Sequence, residues 1–388
     1  IDLLIVGEKI RIFDYKSSNI DDDNYIKHSY FAGGHSAIGN ASRNRLVAIP
    51  PEFNEVTITG GDHIPEIAFE QCSYLERINL PDTLETICKY AFYGCTNIEN
   101  MVIPDSVTTI EQEAFSGCSN LKNVNLPKSL KTIDYRAFRF CSLLETIILP
   151  DSTLEIGSYA FEGCKSLENV QLNEGLETIG SYAFKKCHSI KKLIVPDSVK
   201  SIGRGFVNLC ISLEELSLPY VDTKVSNSES VLINLLFALE GEGNGGAFEE
   251  EYAQMVEKGE LIKKGYERYP NAYNTGGCVA AIPINFKKLI VRGGEKIPTC
   301  AFRQCDFLEE IYIPESIKTV ESKAFSYTNS ELEICGIEGS FIESYANDNN
   351  IKFRAVSEND FITELPVITT TTSTTTSTTS TTTLTAGA

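Results

Sequence analysis

The sequence predicts an α/β solenoid, a coil of short strands stacked turn upon turn, and three marks on one clock predict it. Ala-Phe recurs every 23 residues from Phe69 to Phe184. A Cys follows each Phe by three residues, at Cys72, Cys95, Cys118, Cys141, Cys164 and Cys187. A Pro keeps the same step at Pro81, Pro104, Pro127 and Pro150, gives way once to Asn173, and returns at Pro196 and Pro219. Self-similarity at a period of roughly 20 to 50 residues marks an architecture in which each unit packs only on its neighbours.

Each unit opens with apolar residues two apart, such as Ile147 and Leu149 or Ile311 and Ile313. That is the strand period, and it sends both side chains inward. Pro, which has no donor for a ladder, ends the strand. A second apolar pair, such as Val107 and Ile110, then turns the chain toward the back of the coil. Ala-Phe-x-x-Cys closes the turn: Phe fills the interior, Ala lets backbones approach, and Cys serves as a small buried hydrophobe. One turn cannot fold alone, because ordering it costs on the order of 1–2 kcal/mol per residue, more than its own inward side chains return. Burial of both flanks between neighbouring turns closes the gap.

The beat fails near the C-terminus. After Phe325 the Cys position holds Thr328, and Ser340 with Glu343 forms a capping box that opens a short helix. That helix and the strand after it are expected to cover the last open turn, giving a capped C-terminal end. Other departures are Asn173 at the Pro position, Thr153 at a Val position, and Gly205-Phe206, after which Cys210 reads as one residue late. A longer repeat lies over the short one, since the pattern from Ala48 to Cys72 reappears from Ala281 to Cys305 at an offset of 233 residues. That offset is not a multiple of 23, so the larger unit holds several ordinary turns plus an irregular insert. The expected division is therefore a partial insert over 1–47, a repeat block over 48–219, an irregular and partly helical insert over 220–280, a second repeat block over 281–335, a cap over 336–365 and a Thr/Ser-rich linker over 366–388.

The Ile-Pro-Asp-Ser-Val-x-x-Ile-x-x-x-Ala-Phe-x-x-Cys pattern and the Gly339-Ser340-x-x-Glu343-x-Tyr345-Ala346 ending resemble the BspA-like leucine-rich repeat family over about residues 48 to 356. The resemblance implies a right-handed leucine-rich-repeat solenoid lined by short parallel strands. It also implies a secreted or surface-attached protein that binds other proteins or host surfaces. The family offers no active site to carry over, so no enzyme activity, cofactor or metal is expected.

With 53 acidic against 34 basic residues and a net charge of -19, the chain is a poor partner for nucleic acid, which demands clustered Lys and Arg. Acidity favours solubility and hints at cationic partners. No apolar run approaches the roughly 20 residues needed to span a bilayer. From Thr369 to Thr383 every residue is Thr or Ser, a solvated spacer with nothing to bury. Such tracts look like those that join modules of secreted proteins, including the cellulose-degrading complexes of anaerobic bacteria. A docking partner reached through a further C-terminal module is one expectation, and an undecorated end is the other. The start at Ile1, without a charged and apolar leader, reads as a mature or trimmed chain. A monomer is expected.

Eight of the twelve cysteines, including Cys210 and Cys305, take the inward repeat position and read as stacked core thiols, although neighbouring turns lie close enough that distance alone does not forbid a bridge. The absence of any Cys-x-x-Cys argues against zinc. Gly34-His35-Ser36-Ala37-Ile38 resembles a nucleophile elbow but lacks the final Gly. Gly241-Glu-Gly243-Asn-Gly245-Gly246 satisfies a dinucleotide fingerprint without a βαβ unit around it, and Glu249, Glu250 and Glu251 would face the phosphates. Asn40-Ala-Ser42 is a glycosylation triplet of low information.

Two candidate binding surfaces remain. On the first, a partner meets the outward residues of the strands: Arg77 and Asn79, Asn100 and Val102, Asn123 and Asn125, Thr146 and Ile148, Asn169 and Gln171, Lys192 and Ile194, Glu215 and Ser217. Val102, Ile148 and Ile194 are expected to expose apolar groups there; the plain alternative is a merely solvated sheet. On the second, the insert works through Tyr252, Tyr266 and Tyr269, since Tyr is a large, rigid contact residue. The plain alternative is a helix with Phe248, Tyr252 and Val256 packed on the back of the coil. A catalytic domain hidden in the insert would have few residues for a core of its own. A stiff spacer, with binding done by another module, is the architectural reading.

Overall fold

The computed structural model of this chain describes residues 3–6, 9–12, 54–58, 60–219, 236–237, 252, 254–266 and 278–361. Along these, front strands pair with their counterparts one turn on, parallel and without slippage, in ladders interrupted between Asn79 and Asn100, Asn125 and Thr146, and Gln171 and Lys192. Thr146–Ile148 pairs with Asn169–Gln171 through Thr146↔Asn169, Ile147↔Val170 and Ile148↔Gln171. The same step joins Asn100–Val102 to Asn123–Asn125 and Lys192–Ile194 to Glu215–Leu218. This front sheet puts Ile147, Leu193 and Leu216 inward, fully buried, and leaves alternate residues outside. The result is a parallel-strand solenoid, whose α-helical part among the described residues falls in the insert and at residues 341–348.

The front sheet passes over the insert. Glu215–Leu218 pairs directly with Lys288–Val291, with Leu216↔Leu289 in register, and the sheet continues through Glu310–Tyr312, Glu333–Gly336 and Lys352–Ala355. A similar jump occurs at the start, where Lys9–Ile12 pairs in parallel with Glu55–Ile58 and antiparallel with Leu3–Val6.

A second parallel ladder, unforeseen in the sequence, runs from His63–Ile64 to Ser201–Ile202 in seven two-residue strands. The second apolar pair of each unit supplies it: Ile87, Ile110, Ile133, Ile156 and Ile179 point inward and are fully buried. The third wall is the Ala-Phe turn. From Phe69 to Phe161 each Phe N–H donates to the Ala carbonyl one turn on, as in Phe92 to Ala114 and Phe115 to Ala137, both 2.8 Å. This wall needs left-handed backbone, at Tyr90 (φ 58°) before the Ala and Gly94 (φ 70°) after the Phe, for example. Gly suits the second position at Gly94, Gly117 and Gly163, whereas Phe140 and Lys186 hold it at a steric cost.

Inside, the phenyl rings of Phe69, Phe92, Phe115, Phe138, Phe161 and Phe184 form a continuous stack, with centroids 5.2 to 5.6 Å apart and planes within 10°. Beside it, each thiol from Cys95 to Cys187 donates to the Phe carbonyl of the preceding turn, Cys118 Sγ to Phe92 O and Cys141 Sγ to Phe115 O at 3.2 Å. The Cys is therefore both a small hydrophobe and a lateral donor. Cys210 donates to Phe184 O at 3.1 Å in the same way. This corrects its reading as one residue late: Phe184 N–H bonds the Phe206 carbonyl, so Phe206 occupies the Ala position, Val207 the Phe position, and Cys210 falls on the beat.

The two neighbouring departures compensate each other. Asn173, buried where Pro is usual, donates through Nδ2 to the carbonyls of Asp151 at 3.2 Å and Thr153 at 2.9 Å. Thr153, fully buried, donates its hydroxyl to Leu130 O.

Within the insert, Leu236 and Phe237 enter the main core, and the Phe237 ring meets Phe286 edge-on at 5.2 Å. Leu261–Tyr266 pairs antiparallel with Cys278–Pro283, a hairpin the sequence did not announce. At the other end, Ser340 Oγ accepts from Glu343 N and Glu343 Oε2 accepts from Gly339 N, so the expected box opens helix Phe341–Asp348. Ile342 and Ala346 of that helix are buried in the core.

Burial pushes the thiols of Cys118 and Cys210 up to about 12, and those of Cys141 and Cys187 well above the ordinary range. The native protein should therefore leave these thiols unalkylated by iodoacetamide at mildly alkaline pH, while denaturant exposes them to full reaction; labelling of Cys141 in the folded state, read by peptide mass, would contradict the packing. Asn173→Ala should cost about 1–3 kcal/mol in denaturant unfolding, because two carbonyls lose their donor.

Candidate functional site: the outer face of the front sheet

Outward residues of the front sheet fall into two rows. The first runs Arg77, Asn100, Asn123, Thr146, Asn169, Lys192 and Glu215, and the second Asn79, Val102, Asn125, Ile148, Gln171, Ile194 and Ser217. The structure thus brings all fourteen candidates of this face onto one surface, but it exposes them unequally. Arg77, Asn79, Asn100, Val102, Asn123, Asn125 and Lys192 are exposed, Val102 at 65%. Thr146, Ile148, Asn169, Gln171 and Glu215 are half-buried.

Two expectations fail here. Ile194 is 8% exposed and Ser217 is fully covered. Ser217 is met by Arg292, the residue just after strand Lys288–Val291. Its guanidinium reaches back over the sheet to Ser217 Oγ, the Val195 carbonyl and Asp197 Oδ1, the last at 2.7 Å. A residue far away in sequence therefore roofs the second row at this turn.

Beyond Arg292 the chain closes its own sheet. Ile290, Tyr312 and Cys335, which continue the second row, are buried under Val356 and Phe361 of the segment after the last strand. Phe361 meets Tyr312 edge-on at 6.0 Å. The first row becomes a ladder of charges. Glu215 bridges Lys192 at 2.9 Å and Lys288 at 3.0 Å, and Arg354 bridges Glu310 at 2.9 Å and Glu333 at 2.6 Å. Burial alone would raise the Glu215 carboxyl, but hydrogen bonds and attraction from Lys192 and Lys288 outweigh it and hold the group below the usual range. The N-terminal half instead carries amides, with Asn123 Nδ2 donating to Asn100 Oδ1 at 2.8 Å.

In the insert, Tyr252 is buried with Met255 and Leu261 against Leu209, and burial pushes its hydroxyl up to about 12. It serves packing, as the alternative reading of that stripe has it, so the structure removes Tyr252 as an exposed contact. Tyr266 ends the strand Leu261–Tyr266. Tyr269, Phe248, the Gly34–Ile38 and Gly241–Gly246 motifs and the Thr tract lie outside the described residues. Among the described residues no cluster of His, Cys, Asp and Glu gathers to hold a metal, and no helix is long and apolar enough to cross a membrane.

A family profile described as BspA type Leucine rich repeat region matches six copies over residues 52–150, 137–230 and 284–378. The chain belongs to the BspA-type leucine-rich repeat family. Similar solved structures include a leucine-rich repeat protein of Bacteroides ovatus, 22% identical, with 76% of this chain and 87% of that one covered and a TM-score of 0.37. Another is a leucine rich cell surface protein of Faecalibacterium prausnitzii, 22% identical over 72% of this chain and 68% of that one, TM-score 0.41. The leucine-rich repeat protein of T. pallidum is 36% identical over 31% of this chain and 59% of its own, TM-score 0.31. No curated protein matches. In this BspA-type repeat the front-sheet rows follow from the 23-residue spacing, whereas the Arg292 roof depends on a residue outside the unit.

Glu215→Gln should lower stability at neutral pH by about 1 kcal/mol, since two ammonium partners lose a charged acceptor. The folded pKa lies below the unfolded one, so the contribution is present above the unfolded value and disappears as pH falls through the folded value. Unfolding curves of wild type and variant should therefore converge once pH drops below roughly 4.

Proposed function

We propose that this protein is a non-catalytic, secreted or surface-displayed recognition coil, and that a partner protein docks on the open outer face between Arg77 and Gln171. One observation carries this reading: the second outward row of the front strands is covered from Ile194 onward and left open or half-open before it. The open half presents amides, hydroxyls and the exposed Val102 on a rigid floor that needs no ordering to bind. Membership of the BspA-type family, whose resemblance implies secreted or surface-attached proteins, supports the extracellular setting. The same reading takes helix Phe341–Asp348 and strand Lys352–Ala355 as the cap of the core, and the Thr/Ser-rich stretch as the link to another module.

The test is Val102→Arg with Ile148→Arg, which places bulky cations on the open face without touching the core. In pull-downs from extracellular fractions the variant should lose the proteins captured by wild type, at an unchanged Tm. Undiminished capture by a folded variant would move the site to another surface.

A further inference from the structure

On the docking reading of the face between Arg77 and Gln171, on which this inference rests, the chemistry of the occupant is legible in how the molecule fills that face for itself. Arg292 lays its guanidinium on the front sheet, joining a sheet hydroxyl, Ser217 Oγ, to a carboxylate at the sheet's edge, Asp197. Asp197 belongs to a column repeating every 23 residues, with Asp151 and Glu174 in the two turns before it. Elsewhere in that column Asp105 takes the ammonium of Lys128 at 2.8 Å. From the second row, where it lies beside Cys335, Arg354 reaches Glu310 and Glu333 of the first. Wherever the chain supplies a cation, the carboxylates on or beside this sheet receive it.

Across two turns of the open half it supplies none. Asp151 and Glu174 on one edge, and Glu145 and Glu168 on the other, are exposed and make no ion pair among the described residues. Between these edges the floor is uncharged and half-buried, at Ile148 and Gln171 in the row where Ser217 meets Arg292. A guanidinium suits such a place, because it is planar, weakly hydrated and able to bond two acceptors at once. Net charge of -19 adds attraction at long range.

We propose that the face spanning Thr146 to Gln171 docks an arginine-bearing segment of a partner protein, seated as Arg292 is seated two turns further on. The guanidinium groups lie over the neutral floor and pair with Asp151 and Glu174, while Glu145 and Glu168 receive cations at the opposite edge.

The experiment uses the full chain and a fluorescently labelled peptide of Gly-Ser-Arg repeats, read by anisotropy at low and moderate salt. Lys and Gln versions of the peptide serve as comparisons. The arginine peptide should bind, the lysine peptide several-fold more weakly, and the glutamine peptide not at all. Asp151→Asn with Glu174→Gln should weaken the arginine peptide by about tenfold, two exposed but hydrogen-bonded pairs together amounting to a decade of affinity. Glu85→Gln with Glu155→Gln removes the same charge beside the second ladder and should change binding by less than about twofold. Equal losses in both double variants would reduce the effect to net charge and overturn the proposal. So would binding of the glutamine peptide, or no binding at low salt. If Val102→Arg with Ile148→Arg abolishes partner capture while the arginine peptide neither binds nor competes, the docking face stands and its basic occupant falls. If that variant still captures, the face itself is wrong.

Discussion

Lateral pairing between identical positions of successive turns is the constraint on which this structure depends. A strand of three residues has no partner within its own turn, and its N–H and C=O groups can be satisfied only by the turns on either side. Every wall of the coil obeys this: the front sheet, the second ladder and the Ala-Phe turn each bond to the copy of themselves one period on. A strict residue count is the consequence. An inserted residue would shift all three walls at once, so additions collect where the chain can leave the ladder and return to it, as between Leu218 and Lys288.

The same constraint explains why side chains repeat. Phe stacks on Phe because registered turns put the same position at the same place, and the offset-parallel rings are a consequence of translation along the coil. The Cys column has a more specific cause. From Phe69 to Phe184 each Phe carbonyl accepts its own turn's Cys N–H and the next turn's thiol, as Phe92 O does from Cys95 N and Cys118 Sγ. A weak donor of small volume is what that corner can hold, and Cys is the residue that combines the two.

Much of this was legible from the 23-residue clock: the inward residues, the front strands, the inward column of cysteines and the box at Ser340 all follow from the sequence pattern. Three features were not, and each has a physical reason. Two-residue strands such as Thr109–Ile110 are too short to show a period of their own, so the second ladder was hidden in what read as a turn. Cys210 looked displaced because Phe206 imitates the usual Phe while standing one place early, and only the hydrogen bonds reveal the frame. The covering of Ser217 involves Arg292, which lies near it only because Glu215–Leu218 pairs with Lys288–Val291 across the insert. Interactions within a repeat are written in its sequence; those created by joining distant repeats are not.

The direct step of the front sheet from Glu215–Leu218 to Lys288–Val291 has a mechanical meaning. Tension drawn along the coil passes through that parallel seam and the Arg292–Asp197 tether beside it, and through the core contacts that Leu236 and Phe237 make between the two strands in sequence. Rupture of the seam and of those core contacts would let the chain between Leu218 and Lys288 out as slack.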